Sequence, residues 1–485
     1  ETPTWALLLA QSCRSVGYRV AILDANAERL TNADVVEIIN NLNPRLICFV
    51  VYGQNPNSGT VNMSGTVALA SDIKKSGINI PISVVGSHVQ SLPYETLTQE
   101  EDIDIIFANE GVYALRNLLE IKNLHDTEQL SNVRGIGYMK DGEAFLTPPE
   151  KVVPQDRMDI DLPGYAWDLL PYKERPLDLY RAPMWHADYN QEKRFPYAAI
   201  YTSLGCMFKC SFCMINILNR DDNDPIGVAS NYAGMRFWSP DFIIKEFDKL
   251  YEMGVRTLRI SDEMFLLNKK YYAPLCNMLK ERGYGDKLNM WAYSRIDTVR
   301  KPENLTLVRE AGIKWLGLGI ESGDKNVRLQ VTKGKFEDID IREVVKMVHE
   351  ADIEIIGNYL FGLPGDDYAS MNKTFDLSLE LCTLAWNAYA TMALPGSSLY
   401  KEAVETGYKL PDDYAGYSFH SYNTQPLPTE HLTPAEILKF RDEAWLSYHT
   451  YEPFLQKVEN KYGKIARDNI EDMTKISLKR RILGD

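Results

Sequence analysis

The sequence predicts an α/β protein in which a doubly wound parallel sheet is followed by an open, partial (β/α)6 barrel and a helical C-terminal region. Three features carry this expectation. Short apolar runs alternate with stretches of helical spacing over the first ~120 residues, the same alternation returns in longer units from Tyr197 to about Leu399, and the last segment is charged and helical in pattern. With 485 residues, 45% of them apolar, the chain can build several substantial cores.

The first region, 1–125, opens on a helix from Trp5 to Val16. Val20 to Leu23, Leu46 to Val51, Ile82 to Val85 and Ile103 to Phe107 read as buried strands, with helices at Asn32 to Leu42 and Val67 to Ser76 between them. Because the first strand is reached only at Val20, an initial strand is expected to have been lost from the sequence. Ligands of such sheets gather at the carboxyl ends of the strands. Those ends carry small or polar residues here: Asp24-Ala25-Asn26, Tyr52-Gly53-Gln54-Asn55, Gly86-Ser87-His88 and Asn109-Glu110-Gly111.

Residues 126–195 read as a connector. Arg134 to Met139 and Glu143 to Leu146 flank Asp141-Gly142, a strong hairpin signal. A proline-rich passage from Pro148 to Pro183 is expected to wrap between domains without a core of its own. Region 196–405 offers six strands: Ala198 to Thr202, Thr257 to Ser261, Asn289 to Tyr293, Trp315 to Ile320, Ile353 to Leu360 and Ala388 to Ala393. Six βα units are too few for a closed eight-stranded barrel and suit an open one. Region 406–485 reads as helical, with Pro434-Ala435-Glu436 opening one helix. His420, within Tyr417 to Tyr422, reads as a loop histidine, with a cap over the barrel mouth as its second reading.

Composition excludes several functions. Fifty-three basic against 67 acidic residues, a net charge of −14, leaves no broad electrostatic grip on nucleic acid or an anionic membrane, although a small anionic substrate stays open. The longest charge-free stretch, Leu46 to Ser71, breaks at Gln54 to Gly59 and cannot span a bilayer as a helix. Seven cysteines, an odd and low number, do not form a secreted disulfide framework; their distribution fits a cytoplasmic protein with a metal site. No signal peptide is visible, but the chain starts at Glu1.

Cys206, Cys210 and Cys213 fall within eight residues, directly after the first strand of the second α/β unit. Three thiolates in a tight loop suit a cubane iron–sulfur cluster, which soft sulfur ligands select. Three protein ligands for four irons leave one iron open to a small molecule. Structural zinc takes four ligands, and no fourth Cys or His lies nearby in sequence.

The Cys-x3-Cys-x2-Cys spacing, with Phe212 before the last cysteine, resembles the signature of radical S-adenosylmethionine (SAM) enzymes. The resemblance implies a [4Fe-4S] cluster on Cys206, Cys210 and Cys213 whose open iron takes the amino and carboxylate groups of SAM. One electron, from a donor such as flavodoxin or ferredoxin, then cleaves SAM to a 5′-deoxyadenosyl radical. It further implies that Glu263, in Ser261-Asp262-Glu263, faces the methionine amino group, that Ser294 and Arg295 hold the SAM carboxylate or ribose, and that Glu321, in Gly319 to Gly323, serves the ribose hydroxyls. Asn358 to Gly365 and Pro395-Gly396-Ser397 end the fifth and sixth strands in looser family patterns.

A Rossmann-like domain ahead of such a barrel resembles the cobalamin-binding class of that superfamily, over nearly the whole chain. The implied cobalamin neighbours are Asp24, Asn26, Tyr52, Gly53, Gln54, Ser87, His88, Glu110 and Gly111. Residues 24–28 read Asp-Ala-Asn-Ala-Glu, without the Asp-x-His-x-x-Gly motif. Cobalamin is therefore expected with its own base displaced and no histidine beneath cobalt, Tyr52 being the expected lower-face neighbour. The domain's other reading is an empty flavodoxin-like module that docks a partner. The implied activity is methylation of an unactivated carbon of a small molecule through methylcobalamin and the 5′-deoxyadenosyl radical. Cobalamin-assisted oxidation, cyclisation or ring contraction is the alternative chemistry, and an iron–sulfur redox-sensing regulator the alternative of another class.

Overall fold

The computed structural model describes residues 1–53, 56–177, 179–180, 195–215, 217, 234–299, 301–332 and 339–485; Gln54 and Pro183 lie outside them. Strands Ile47–Val51 (β1), Ile82–Gly86 (β2), Ile105–Phe107 (β3), Ile136–Lys140 (β4) and Glu143–Leu146 (β5) form one sheet in chain order. The first three are parallel and the last two antiparallel. Successive side chains of β2 and β3 enter different cores, as a sheet covered on both faces requires. Val85 and Phe107 pack with helices Thr4–Ser15 and Val112–Glu120, whereas Val84 and Ile106 pack with Met63 of helix Gly59–Lys75.

Two expectations for this region change. Val20 to Leu23 joins no ladder and is only partly buried. An apolar run becomes a strand only where a neighbouring backbone accepts its hydrogen bonds, and no described segment does so here. The Asp141-Gly142 hairpin forms, with both residues at positive φ (52° and 86°), as a type I′ turn demands. It is not part of a free connector, however, because β4 zips onto β3 and makes the hairpin the antiparallel end of the first sheet.

The proline-rich passage is likewise integrated. Val153, Met158, Leu162, Tyr165, Trp167, Leu170 and Tyr172 are buried in the same core as the barrel strands. Tyr165 donates its hydroxyl to the Tyr201 carbonyl (2.9 Å), Tyr172 to that of Tyr197 (2.8 Å), and the Trp167 indole to Glu246 (2.9 Å).

The second sheet comprises Tyr197–Ile200 (β6) and, after a two-stranded ribbon of Ser203–Cys206 (β7) and Gly234–Phe237 (β8), Thr257–Ile260 (β9), Asn289–Arg295 (β10), Ile313–Glu321 (β11), Glu354–Phe361 (β12) and Ala385–Ala390 (β13). The strands β6 and β9 to β13 are all parallel and open at both edges. All six expected strands form. The antiparallel β7–β8 ribbon was not foreseen, since its first strand is hidden in the cysteine motif. Helices Pro434–His449, Glu452–Tyr462 and Lys464–Thr474 close the C-terminal region, while 407–433 is irregular apart from a short 3-10 turn. Thr433 and Glu436 form a reciprocal cap at the Pro434 helix. Among the described residues no helix is long and apolar enough to cross a membrane.

A buried ion pair joins the first sheet to the β7–β8 ribbon. Glu110, after β3, accepts from Arg236 of β8 (2.7 Å) and from the Val153 amide of the connector (2.6 Å), and Arg236 also donates to the Val153 carbonyl (2.7 Å). The two side chains are 3% and 6% exposed. Arg236→Met strands the Glu110 carboxylate in this dry seam and should cost about 3–5 kcal/mol, read as a lower urea midpoint. Adding Glu110→Gln should recover part of that loss. A wild-type midpoint in the single variant would remove the pair's structural role.

Candidate active site

The cysteine loop begins where β7 ends. Each thiol has a different N–H nearby: the Phe208 amide 3.4 Å from Cys206 Sγ, Arg295 Nη1 4.0 Å from Cys210 Sγ, and Asn57 Nδ2 of the first domain 3.9 Å from Cys213 Sγ. Phe212 explains the aromatic position of the motif, since it packs between Ala393, Leu399 and Leu427 on one side and Val327, Val331 and Leu363 on the other. Backbone bonds from Ser211 to Val331 and from Leu399 to Ser211, both 3.0 Å, fix the loop to the barrel rim.

Burial pushes the Cys206 thiol up to about 12 and the Cys210 thiol to about 11, and holds Cys213 well above the ordinary thiol value. After burial, Glu263 is the largest influence raising Cys213, and Glu321 that raising Cys210. Cys210 opposes ionisation of Cys206 and Cys213, Arg295 favours it at Cys206 and Cys210, and a coordinating metal would deprotonate all three thiols. Among the described residues no three Cys, His, Asp or Glu side chains converge on a single ion.

The strand ends supply two carboxylates beside these thiols. In Ser261-Asp262-Glu263, Asp262 is structural: it accepts from the Thr202 amide and hydroxyl and the Ser203 hydroxyl, each at 2.6 Å. Glu263 is the adjacent residue left to face the cysteines, its carboxyl raised to about 7 by burial. Glu321 is raised to about 7 for the same reason, against the opposing pull of Arg295. It sits at a β-bulge with φ of +64°, and a Cβ on Gly319 would lie 2.5 Å from its carboxylate, so Gly319 leaves the space that Glu321 occupies. Ser294 and Arg295 differ from expectation. The Ser294 hydroxyl is bonded to Thr298 (2.7 Å), and Arg295 commits Nε and Nη2 to Asp297, both at 2.6 Å.

The first domain docks its strand ends on this mouth. Asn57 accepts from the Met214 amide (3.2 Å) beside Cys213, and Ser91 donates to the Pro395 carbonyl (3.0 Å) beyond β13. Gly396, at φ +92°, admits this contact, because a Cβ there would lie 2.5 Å from Ser91 Oγ. Behind the dock, Gln90 is buried and donates to the Tyr52 hydroxyl (2.7 Å) and the Asn109 carbonyl (2.6 Å), while its Oε1 has no partner. The Tyr52 ring meets Trp5 edge-on at 5.6 Å. Hydroxyls of Ser58 and Ser87 lie over Gly53 and Gly59, in space that any side chain there would fill. An orphaned acceptor, a buried phenol and a glycine–serine floor at adjoining strand ends fit a flat, amide-rimmed ligand such as cobalamin.

Several expected cobalamin neighbours have other duties. Glu110 spends both carboxylate oxygens on the buried clamp. His88 is buried against Thr60 (3.2 Å) and edge-on to Tyr414, with burial lowering it to about 4. Asp24 caps a short helix and accepts from Tyr180 (2.8 Å); Asn26 is exposed on that helix. Gly111, at φ +81°, starts helix Val112–Glu120. Gln54 lies outside the described residues. Sequence reasoning missed Trp5, on the opening helix, and Asn57, Gln90 and Ser91, which follow strand-end residues by a few positions; none carries a motif.

Inside the barrel, accessible positions interrupt buried strands toward their carboxyl ends: Tyr293, Gly319, Glu321, Asn358, Leu360, Asn387 and Tyr389. Asn387 donates to Asn358 (3.1 Å), whose own amide is held by the Ile356 carbonyl (3.1 Å). Phe419 packs on Tyr389 at 5.0 Å, so the Tyr417 to Tyr422 stretch does reach β13, with His420 itself exposed.

A corrinoid-type sheet docked on a cysteine-bearing half-barrel defines a class, and comparison agrees. Residues 200–378 match the radical SAM superfamily and residues 1–119 the B12 binding domain. The chain thus joins a B12 binding domain to a radical SAM domain, and its cofactors are a [4Fe-4S] cluster, SAM and cobalamin. It is 23% identical over 460 residues to an uncharacterized methyltransferase of Pyrococcus horikoshii, covering 94% of this chain and 90% of that protein. It is 22% identical over 453 residues to the anaerobic magnesium-protoporphyrin IX monomethyl ester cyclase of Cereibacter sphaeroides, covering 90% of this chain and 65% of that one. The radical SAM methyltransferase TsrM of Kitasatospora setae, solved with cobalamin and a [4Fe-4S] cluster, shares the fold at TM-score 0.66 and 16% identity, over 98% of this chain and 97% of that one.

Anaerobically purified protein should carry roughly four irons per chain. Joint replacement of Cys206, Cys210 and Cys213 by Ala should abolish them, whereas Cys13→Ala or Cys382→Ala should not change the count. Full iron in the triple variant would overturn the ligand assignment.

Proposed function

We propose that this protein is a cytoplasmic, cobalamin-dependent radical SAM methyltransferase that acts on an unactivated carbon of a small molecule. The observation that carries the proposal is the docked seam. Asn57 meets the cysteine loop and Ser91 meets the β13 loop, so the strand ends of the first sheet and the barrel mouth look onto one shared space. A methyl carrier and a radical source must approach one carbon within a few Å, and a shared space supports that. The bound cofactors supply one-electron SAM cleavage and a cobalt-carried methyl group.

The chain's residues bind, orient and exclude water. Cys206, Cys210 and Cys213 are the proposed cluster ligands, Glu263 the partner of the methionine amino group, and Glu321 the acceptor for the ribose hydroxyls. Tyr52, Gly53, Ser87 and the orphaned Gln90 Oε1 are the proposed cobalamin contacts. Tyr293, Asn358, Asn387 and Tyr389 line the remaining barrel space, a neutral hydrogen-bonding wall for substrate. A low-potential flavodoxin or ferredoxin is the proposed electron donor. A second reading, cobalamin-assisted cyclisation, is favoured by the similarity to a cyclase over 90% of this chain.

Anaerobic incubation with methyl-labelled SAM and an extract of the native organism separates the two. Methylation yields a labelled product together with 5′-deoxyadenosine; cyclisation yields 5′-deoxyadenosine without label transfer. Formation of neither would favour a redox-sensing regulator.

Glu321 should act by holding SAM, not by taking a proton, because radical abstraction removes a hydrogen atom. A hydrogen bond to a charged group is worth about 1.5–3 kcal/mol, roughly ten- to a hundredfold in affinity. Glu321→Gln should therefore weaken SAM binding modestly and Glu321→Ala severely, with iron content intact. The buried carboxyl ionises only near pH 7. SAM affinity should thus fall as pH drops below about 7 in the unaltered protein and fall less steeply in Glu321→Gln, where Glu263, also raised to about 7, is the carboxyl that still titrates against SAM. Normal binding with arrested cleavage in Glu321→Ala would refute the positioning role.

A further inference from the structure

We infer that Arg295 sets the reduction potential of the cluster, a role that rests on the cluster proposed for Cys206, Cys210 and Cys213. Its Nε and Nη2 are each 2.6 Å from an oxygen of Asp297, which pins the guanidinium flat at the end of β10. The remaining nitrogen, Nη1, lies 4.0 Å from Cys210 Sγ. Phe208, from within the cysteine motif, covers the other side, with its ring centre 3.6 Å from the guanidinium carbon. Arg295 is buried, 4% exposed.

This arrangement differs from a clamp on the SAM carboxylate, which would need the paired donors that Asp297 already takes. It instead orients one cationic edge at a ligand sulfur where little water can screen it. Net charge, hydrogen bonds to the sulfurs and solvent exposure are the means by which a protein tunes such clusters. A fixed positive charge beside a ligand thiolate favours the form with one electron more, so Arg295 makes the cluster easier to reduce. Asp297 opposes it from farther off, since the guanidinium stands between that carboxylate and the cysteine loop.

The test is an anaerobic, SAM-free redox titration of the full chain with its reconstituted cluster, using a low-potential chemical reductant and following the EPR signal of the one-electron-reduced form. Iron and sulfide are counted in every sample. In Arg295→Gln the ratio of reduced to oxidised cluster at the wild-type midpoint should fall about tenfold, ~59 mV for one electron, and Arg295→Lys should recover most of it. An unchanged potential in Arg295→Gln at full iron content overturns the inference. Should Arg295→Gln fail to hold iron, Asp297→Asn decides: a raised potential supports the role, and no shift or a fall overturns it. Absence of any titrating cluster in the unaltered protein would instead refute the cluster itself.

Discussion

The contact on which the rest of the molecule depends is the buried Glu110–Arg236 pair. It ties together three parts of the chain: the last parallel strand of the first sheet, the connector at Val153, and the ribbon whose partner strand ends on Cys206. Both charges are almost free of solvent, and such pairs are held by geometry and by complete hydrogen bonding, not by Coulomb attraction alone. Glu110 satisfies that condition with two donors. Its rigidity passes along β8 to β7 and so to the first cysteine. The position of the cysteine loop relative to the first domain is thus set from behind, by a polar clamp, and from the front by Asn57 and Ser91.

The connector converts two α/β units into one body. Its Tyr165, Trp167 and Tyr172 lie in a core that runs unbroken from Trp5 to Ile470, and their polar ends find carbonyls or Glu246 on the barrel. A seam that buries these three rings with each polar end paired favours one relative placement of the sheets over many.

Much of this was legible in the sequence where physics is local. Parallel strands buried on both faces read as apolar runs, and all six barrel strands were found in this way. The left-handed pair Asp141-Gly142 signalled its turn directly. The cysteine spacing signalled a metal centre because soft ligands so close together have few other uses. What escaped depended on distant partners. Val20 to Leu23 has a strand's composition but no neighbour to pair with among the described residues. Glu110 and His88 sit at strand ends where ligands gather, yet Arg236 and Thr60, both remote in sequence, claim them. Gln90 and Ser91 carry no motif at all, and their meaning comes from what the other domain brings beside them.

Under the role proposed for Glu321 in holding SAM, its left-handed backbone sets fold and cofactor against each other. A non-glycine residue held at φ +64° costs the native state on the order of 1–3 kcal/mol, and a carboxylate buried next to it adds the strain of ionising in a dry place. Glycine would relieve both. A descendant that no longer needed SAM would therefore gain stability by drifting to glycine at this one position, with its barrel intact and its cysteines still in place. The identity of residue 321 would then report the loss of chemistry before any change in the motif that first announced it.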